Sequence, residues 1–224
     1  MPSQSCYSPS DERLRALIAA ISPARFSTYE RLSDFDNRRA VTLYLWNARI
    51  AEAFYFPLQT NEVLLRNAVA KALAQVYGSK WPFSPGFQKS LPDKLRGIFI
   101  AALTPLVSRI GQDSVTTGDV IAALTYGFWV ALLTARHQTR IWTPHFRLSF
   151  PGAPAGIARD LVHKEADRLR DLRNRIAHHE PVIRRDLAGD YQRTINLISW
   201  VCPETASWVI EHSHVIGMIA QRPE

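Results

Sequence analysis

The sequence predicts an all-α fold, a bundle of helices around one core. Three observations point there. Apolar residues recur at spacings of three and four along most of the chain. No run shows the two-residue alternation of a strand. Residues that start or stop helices (Ser, Thr and Asp caps, Gly, Pro) separate the periodic runs. At 46% hydrophobic and 21% charged residues the composition is near the globular average, which excludes wholesale disorder, collagen-like repeats and coiled coil. The 224 residues exceed one domain of roughly 150 and fall short of two. The expected organisation is an N-terminal arm with a short helix over 1–39, followed by a helical domain over 40–224.

In order, Leu14, Leu17, Ile18 and Ile21 predict a helix over 11–21, and 22–39 reads as a connector whose Ser33–Asp36 stretch caps the next helix. A long periodic run extends from 38 to 77 through Trp46, Ile50, Phe54, Leu65 and Leu73, with Gly78 as its stop. Pro57 should kink or split it. Residues 78–92 are rich in Pro, Gly and aromatics and read as an ordered loop. A helix over 93–110, disturbed at Pro105, is followed by Thr117-Gly118-Asp119 capping an apolar helix over 119–135. Residues 136–156 read as irregular, with a clear break at the PGAPAG stretch 151–156. Helices are expected over 157–179, 189–200 and 204–221.

The charge is unusual. Twenty-seven basic against twenty acidic residues leave a net +7 and a pI near 9.7. Arginine supplies 22 of the basic residues, and residues 1–112 carry 14 basic and 8 acidic side chains, so the excess lies in the first half. A guanidinium surplus suits a polyanion partner, although a base composition that favours Arg codons gives the same count. Two cysteines, Cys6 and Cys202, make neither a disulfide framework nor a zinc site, which fits a reducing cytoplasm. The opening residues place Asp11, Glu12, Arg13 and Arg15 before any apolar run, the reverse of a signal peptide. The longest apolar segment, 120–133, is too short for the ~20 residues a membrane span needs. No membrane partner is expected.

The stretch that carries chemistry is Leu172-Arg173-Asn174-Arg175-Ile176-Ala177-His178-His179-Glu180-Pro181. Leu161, Val162, Glu165, Leu169, Leu172 and Ile176 form one face of the helix leading into it. Pro181 disfavours helical geometry at Glu180, so the helix should end near His178 or His179. The negative end of a helix favours an imidazolium there, and the neighbouring arginines oppose it. A histidine can take a proton from a ribose 2′-hydroxyl or give one to a leaving 5′-oxygen. An arginine can hold the phosphate and its developing charge, and an asparagine can bond phosphate oxygens or orient the imidazole. These are the parts of a metal-free RNA transesterification. No carboxylate cluster with divalent-ion spacing accompanies them, and His163, His212 and His214 have no partner set, so no metal or other cofactor is expected.

Geometry constrains the set. Five residues separate Arg173 from His178, about 140° around an ideal helix, whereas Asn174 and His178 lie close together. Either Arg173 reaches round, or the helix end loosens, or a second subunit completes the site.

Arg173-Asn174-Arg175-Ile176-Ala177-His178 resembles the Arg-polar-x-x-x-His signature of HEPN-domain ribonucleases. The extended LRNRIAHHEP is similar to their Abi-like (abortive infection) branch. PLQTNEVLLRNAV at 57–69 and TYGFWVALLT at 125–134 also resemble segments of that branch, so the likeness covers roughly 40–200. The resemblance implies a HEPN-like bundle with additional N- and C-terminal helices, working as a homodimer with Arg and His at the dimer cleft. It implies metal-independent RNA cleavage to a 2′,3′-cyclic phosphate in toxin or phage-defence settings, with an antitoxin or nucleotidyltransferase as a possible partner. Arg173, Asn174 and His178 carry over as the catalytic set, and His179 and Glu180 match the branch as supporting residues.

Other positions are candidates from their chemistry. Glu62, Arg66 and Asn67 are polar on an apolar helix. Glu62 and Arg66 either form an i,i+4 ion pair worth ~0.3–0.5 kcal/mol, or Arg66 and Asn67 face and support the catalytic helix. Glu180 can pair with Arg173 or Arg175. The segment 136–147 interleaves basic and aromatic residues. There Trp142 or Phe146 stacks on single-stranded RNA with Arg140 and Arg147 on phosphate, or the aromatics plug the core. Arg175 completes the candidate RNA-binding set.

Overall fold

The computed structural model describes residues 10–223, which are mostly helical with no strand among them. Cys6 lies outside the described residues. Helix α1 (Asp11–Ile21) has the expected bounds and is capped by Ser10, whose hydroxyl accepts the Arg13 N–H. The connector expected over 22–39 instead contains α2 (Pro23–Leu32), with Pro at its first position and Ser22 as cap. Its few apolar residues hid it from periodicity. Two of them, Phe26 and Tyr29, are fully buried against the Tyr44 ring at 5.8 and 5.2 Å.

The spine is α3 (Asn37–Tyr77), 41 residues that span about 60 Å at ~1.5 Å per residue. Asp36 caps it by accepting the N–H groups of Arg38 and Arg39, and Gly78, at φ +85°, ends it as expected. Pro57 does not divide it. A proline in a helix interior costs about 3 kcal/mol, but this ring is buried between buried Phe54 and Leu58, so packing holds the turn. Along one stripe Leu43, Trp46, Ile50, Phe54, Leu58, Leu65, Val69 and Leu73 enter the core.

Residues 78–92 are more regular than a loop. A 3₁₀ turn at Trp81–Phe83 and helix α4 (Pro85–Ser90) bury Trp81 edge-on to Phe87 at 4.7 Å. Helix α5 (Asp93–Ile110) runs through Pro105. The single apolar helix expected over 119–135 is two, α6 (Thr117–Ala123) and α7 (Tyr126–Leu132), because Leu124 and Thr125 are extended. Thr116 caps α6 in a reciprocal box with Asp119. Residues 136–156 are not irregular either. A 3₁₀ turn, a π turn (Gln138–Trp142) and α8 (Thr143–Ser149) precede the predicted break. At that break Gly152 lies so close to the later helix that carries Ser199 that a Cβ would fall 2.3 Å from the Ser199 carbonyl, so only glycine fits.

Helix α9 (Arg159–Ala177) and α10 (Leu187–Val201) follow the expected positions. The last expected helix is broken at Ser213 into α11 (Pro203–His212) and α12 (Val215–Ala220). Helices α2, α7, α8, α10 and α12 pack along α3, and residues from α2 to α12 belong to one core. No helix among the described residues is long and apolar enough to cross a membrane.

One ionic cluster locks the chain after α9. Asp190 on α10 is 3% exposed and accepts from Arg185 at 2.7 Å and Arg193 at 3.2 Å. Arg193 also reaches Glu165 on α9 at 3.1 Å. Asp190→Ala removes the acceptor shared by two partly exposed guanidinium groups, of which Arg193 keeps Glu165, so it should lose ~1–3 kcal/mol in denaturant unfolding.

His137 is buried with its Nε2 unpartnered, and burial, then the Arg136 charge, pushes its imidazole down to about 4. The unfolded chain takes up this proton near pH 6.5 and the folded protein does not. Stability from this site is therefore complete above pH ~6.5 and falls by up to about 3 kcal/mol as the pH drops towards 4. Denaturant midpoints measured from pH 7 to 4 should fall less steeply for His137→Phe than for the wild type.

Candidate functional site

The amphipathic face of α9 forms as expected, with Val162, Ala166, Leu169 and Leu172 buried. Ala166 belongs to this face, and Glu165 is at its edge in the Arg193 pair. The helix ends at Ala177 with His178 as cap. The His179 N–H bonds the Ile176 carbonyl at 3.0 Å and the Glu180 N–H bonds the Arg175 carbonyl at 2.8 Å. This is the Schellman pattern, in which the residue after the cap takes the left-handed conformation. Here that residue is His179, at φ +56°, where glycine is usual.

Three contacts hold this end in place. Arg25 on α2 donates to the His179 carbonyl at 3.0 Å. Arg175 pairs with Glu180 at 3.3 Å, one of the two pairings expected for that carboxylate. Asn47, buried on α3, accepts the Val182 N–H at 2.8 Å and turns the chain back into the core.

Arg173 leaves the other side of the last turns and enters a cleft of about 360 Å³ between α3 and α9. Its Nε donates to Glu62 Oε2 on α3 at 3.3 Å. With Arg173 41% and Glu62 23% exposed, solvent screens the pair to below about 1 kcal/mol, so it positions more than it stabilises. Arg66 lines the same cleft. The Glu62–Arg66 ion pair considered from spacing does not form, because Glu62 is turned to Arg173. Beneath the cleft, Tyr126 donates its O–H to buried Asn61 at 2.9 Å. Burial, then the charges of Glu62 and Asp167, hold this phenol far above its ordinary range, against Arg170 and Arg173, so it stays a donor.

The remaining candidates are dispersed. Asn67 does not face α9; it lines a separate depression with Lys71 and Thr117. Asn174 and His178 are exposed neighbours, and neither lines the Arg173 cleft. Trp142 is 1% exposed and gives its indole N–H to the Leu132 carbonyl at 2.8 Å, so it plugs the core and offers no face to a base. Phe146 packs on Phe150 at 5.1 Å. Arg140 covers the Tyr77 ring at 5.0 Å, and Arg147 is tied to the Ala153 and Pro154 carbonyls. The 136–147 segment therefore keeps exposed cations but loses its stacking partner. Among the described residues no three His, Cys, Asp or Glu side chains gather as a metal site.

Sequence reasoning passed over Tyr55 and Gln59, which line the Arg173 cleft. The signal was present: 55, 59, 62 and 66 follow helical spacing on one face of α3. Comparison with known protein families, with curated proteins and with solved structures gives no match.

A left-handed residue with a Cβ costs ~1–2 kcal/mol, partly offset by the flexibility glycine adds to the unfolded chain. His179→Gly should therefore raise stability by up to about 1 kcal/mol. His179→Val, β-branched in the same conformation, should lower it in thermal unfolding.

Proposed function

We propose that this protein is a metal-independent endoribonuclease with a HEPN-like bundle of the Abi-like kind, acting as a homodimer in the cytoplasm in a toxin or phage-defence role. In this reading His178 is the general base or acid, Arg173 the phosphate clamp, and Asn174 positions the substrate. The ribose 2′-hydroxyl loses its proton and attacks phosphorus. The bond to the 5′-oxygen breaks, that oxygen takes up a proton, and a 2′,3′-cyclic phosphate remains.

One observation carries the reading. The end of α9 is regular, with the His178 N–H bonded to the Asn174 carbonyl at 2.9 Å, and Arg173 is engaged by Glu62. The helix has not loosened and Arg173 has not reached round to His178. A second copy of α9 is then the remaining one of the three routes by which the Arg173 guanidinium meets the exposed imidazole, which is why the proposal invokes a dimer. The arginine surplus and the exposed Asn174–His178 pair suit a polyanionic substrate.

Cleavage of RNA in EDTA should be lowered ~10²–10⁴-fold by His178→Ala and by Arg173→Ala. Mixing the two inactive variants should restore cleavage, because a mixed dimer contains one intact Arg173–His178 pairing across the interface. Equal cleavage by all three proteins, or activity only with added metal, sinks the proposal. A second reading, a non-catalytic RNA-binding or defence-sensor module, draws on His178 lying outside the cleft. It predicts RNA binding that survives His178→Ala and no cyclic-phosphate product from the wild type.

A further inference from the structure

Two clefts meet on one face of α3. The cleft between α3 and α9 contains Glu62, Arg66 and Arg173. The other, about 550 Å³, contains Tyr29 and Tyr44 beside Glu52, His179 and Glu180. Tyr55, Ile176 and Ala177 line both, so the two form one groove around the last turn of α9. Tyr44, Tyr55 and Arg66 recur every eleven residues. Eleven residues at ~100° complete three turns with about 20° to spare, so the three share a stripe about 33 Å long.

The groove is chemically polarised. At one end two guanidinium groups share a cleft in which the lining carboxylate, Glu62, already accepts from Arg173. The Arg66 Nε there is buried and has no hydrogen-bond partner. Arg66 makes no hydrogen bond or ion pair among the described residues, so its guanidinium in the cleft is uncommitted, and a phosphate matches that fork. At the other end Glu52 and Glu180 repel phosphate, while half-buried Tyr44, backed by buried Tyr29, offers part of its ring. Between them Tyr55 is 64% exposed.

We propose that this groove is a track for single-stranded RNA, with a phosphate held by Arg66 and Arg173 and the adjoining base stacked on Tyr55. The choice of RNA rests on the ribonuclease reading, but binding is measured apart from cleavage. A base on a tyrosine face needs no hydrogen-bond code, so the track tolerates sequence and requires an unpaired strand.

The test uses the full chain carrying His178→Ala, in EDTA, with a fluorescein-labelled oligouridylate twelve nucleotides long, read by anisotropy. Tyr55→Ala should weaken binding about ten- to a hundredfold, and Tyr55→Phe by less than about twofold. Arg66→Gln should reduce the slope of log affinity against log salt by about 0.7, with Arg66→Lys retaining it. A duplex of the same length should bind more weakly than the single strand. Absence of binding by the His178→Ala parent overturns the proposal. So does unchanged binding by Tyr55→Ala and Arg66→Gln proteins whose circular dichroism matches the parent, or tighter binding of the duplex. If binding depends on Tyr55 and Arg66 but the wild type yields no cyclic phosphate, the track stands and the nuclease reading fails. If wild-type cleavage is unaltered by Tyr55→Ala and Arg66→Gln, the track fails and the nuclease reading stands.

Discussion

A helix of 41 residues cannot bury its apolar face against a single partner, because helices of ordinary length cover only part of its ~60 Å. Helix α3 therefore needs a succession of partners, and the rest of the chain is arranged to supply them. Helices α2 and α12 cover its first half, where Trp46 donates to the Met218 carbonyl at 2.9 Å. Helices α7 and α8 cover its second half, where Ser149 donates to the Ala68 carbonyl at 2.9 Å. Helix α10 makes the most extensive contact. Two buried asparagines punctuate this surface. Asn47 satisfies the Val182 N–H and Asn61 satisfies the Tyr126 O–H, so each ties a distant segment to a defined turn of the spine. Hydrophobic burial is non-directional, and these bonds supply the register it lacks.

The candidate site follows from that arrangement. Helix α9 buries one side, leaves Asn174 and His178 exposed, and sends Arg173 into the cleft it shares with α3. Its end is held by Arg25 from α2, by Asn47 through Val182 and by a left-handed His179. A helix end held in this way presents its side chains in a defined geometry, which a phosphate clamp and a proton-transfer group both require. The same ties make Tyr55 and Arg66, on a helix that carries neither Arg173 nor His178, part of the surface around the motif.

Much of the fold was legible in the sequence. The bounds of α1, α5, α9 and α10, the Asp36 and Gly78 ends of α3, and the break at 151–156 all follow from periodicity and capping chemistry. The failures have particular causes. Helix α2 was missed because its core contribution rests on two aromatic side chains and not on a repeating stripe. The 119–135 run keeps apolar residues throughout, so hydropathy gives no sign that Leu124 turns the chain, while the polar 211–214 stretch at the Ser213 turn reads equally as the solvent face of one helix. Pro57 reads as a kink or a split because an isolated helix would be disrupted there. For Trp142 the sequence leaves stacking platform and core plug both open, because interleaved charge does not reveal which face is buried.

Local chemistry determined the helical class, most caps, and the placement of Arg173, Asn174 and His178 about the end of one helix, since each depends on residues within a few turns. Tertiary structure alone decided that Glu62 pairs with Arg173 and that the buried Arg66 Nε has no partner. It also decided that Trp142 is sealed in the core and that two clefts join across Tyr55. Those outcomes depend on which helix lies against which turn of α3. That is set by packing between residues up to 172 positions apart, as in the Trp46–Met218 contact, and no local pattern encodes it.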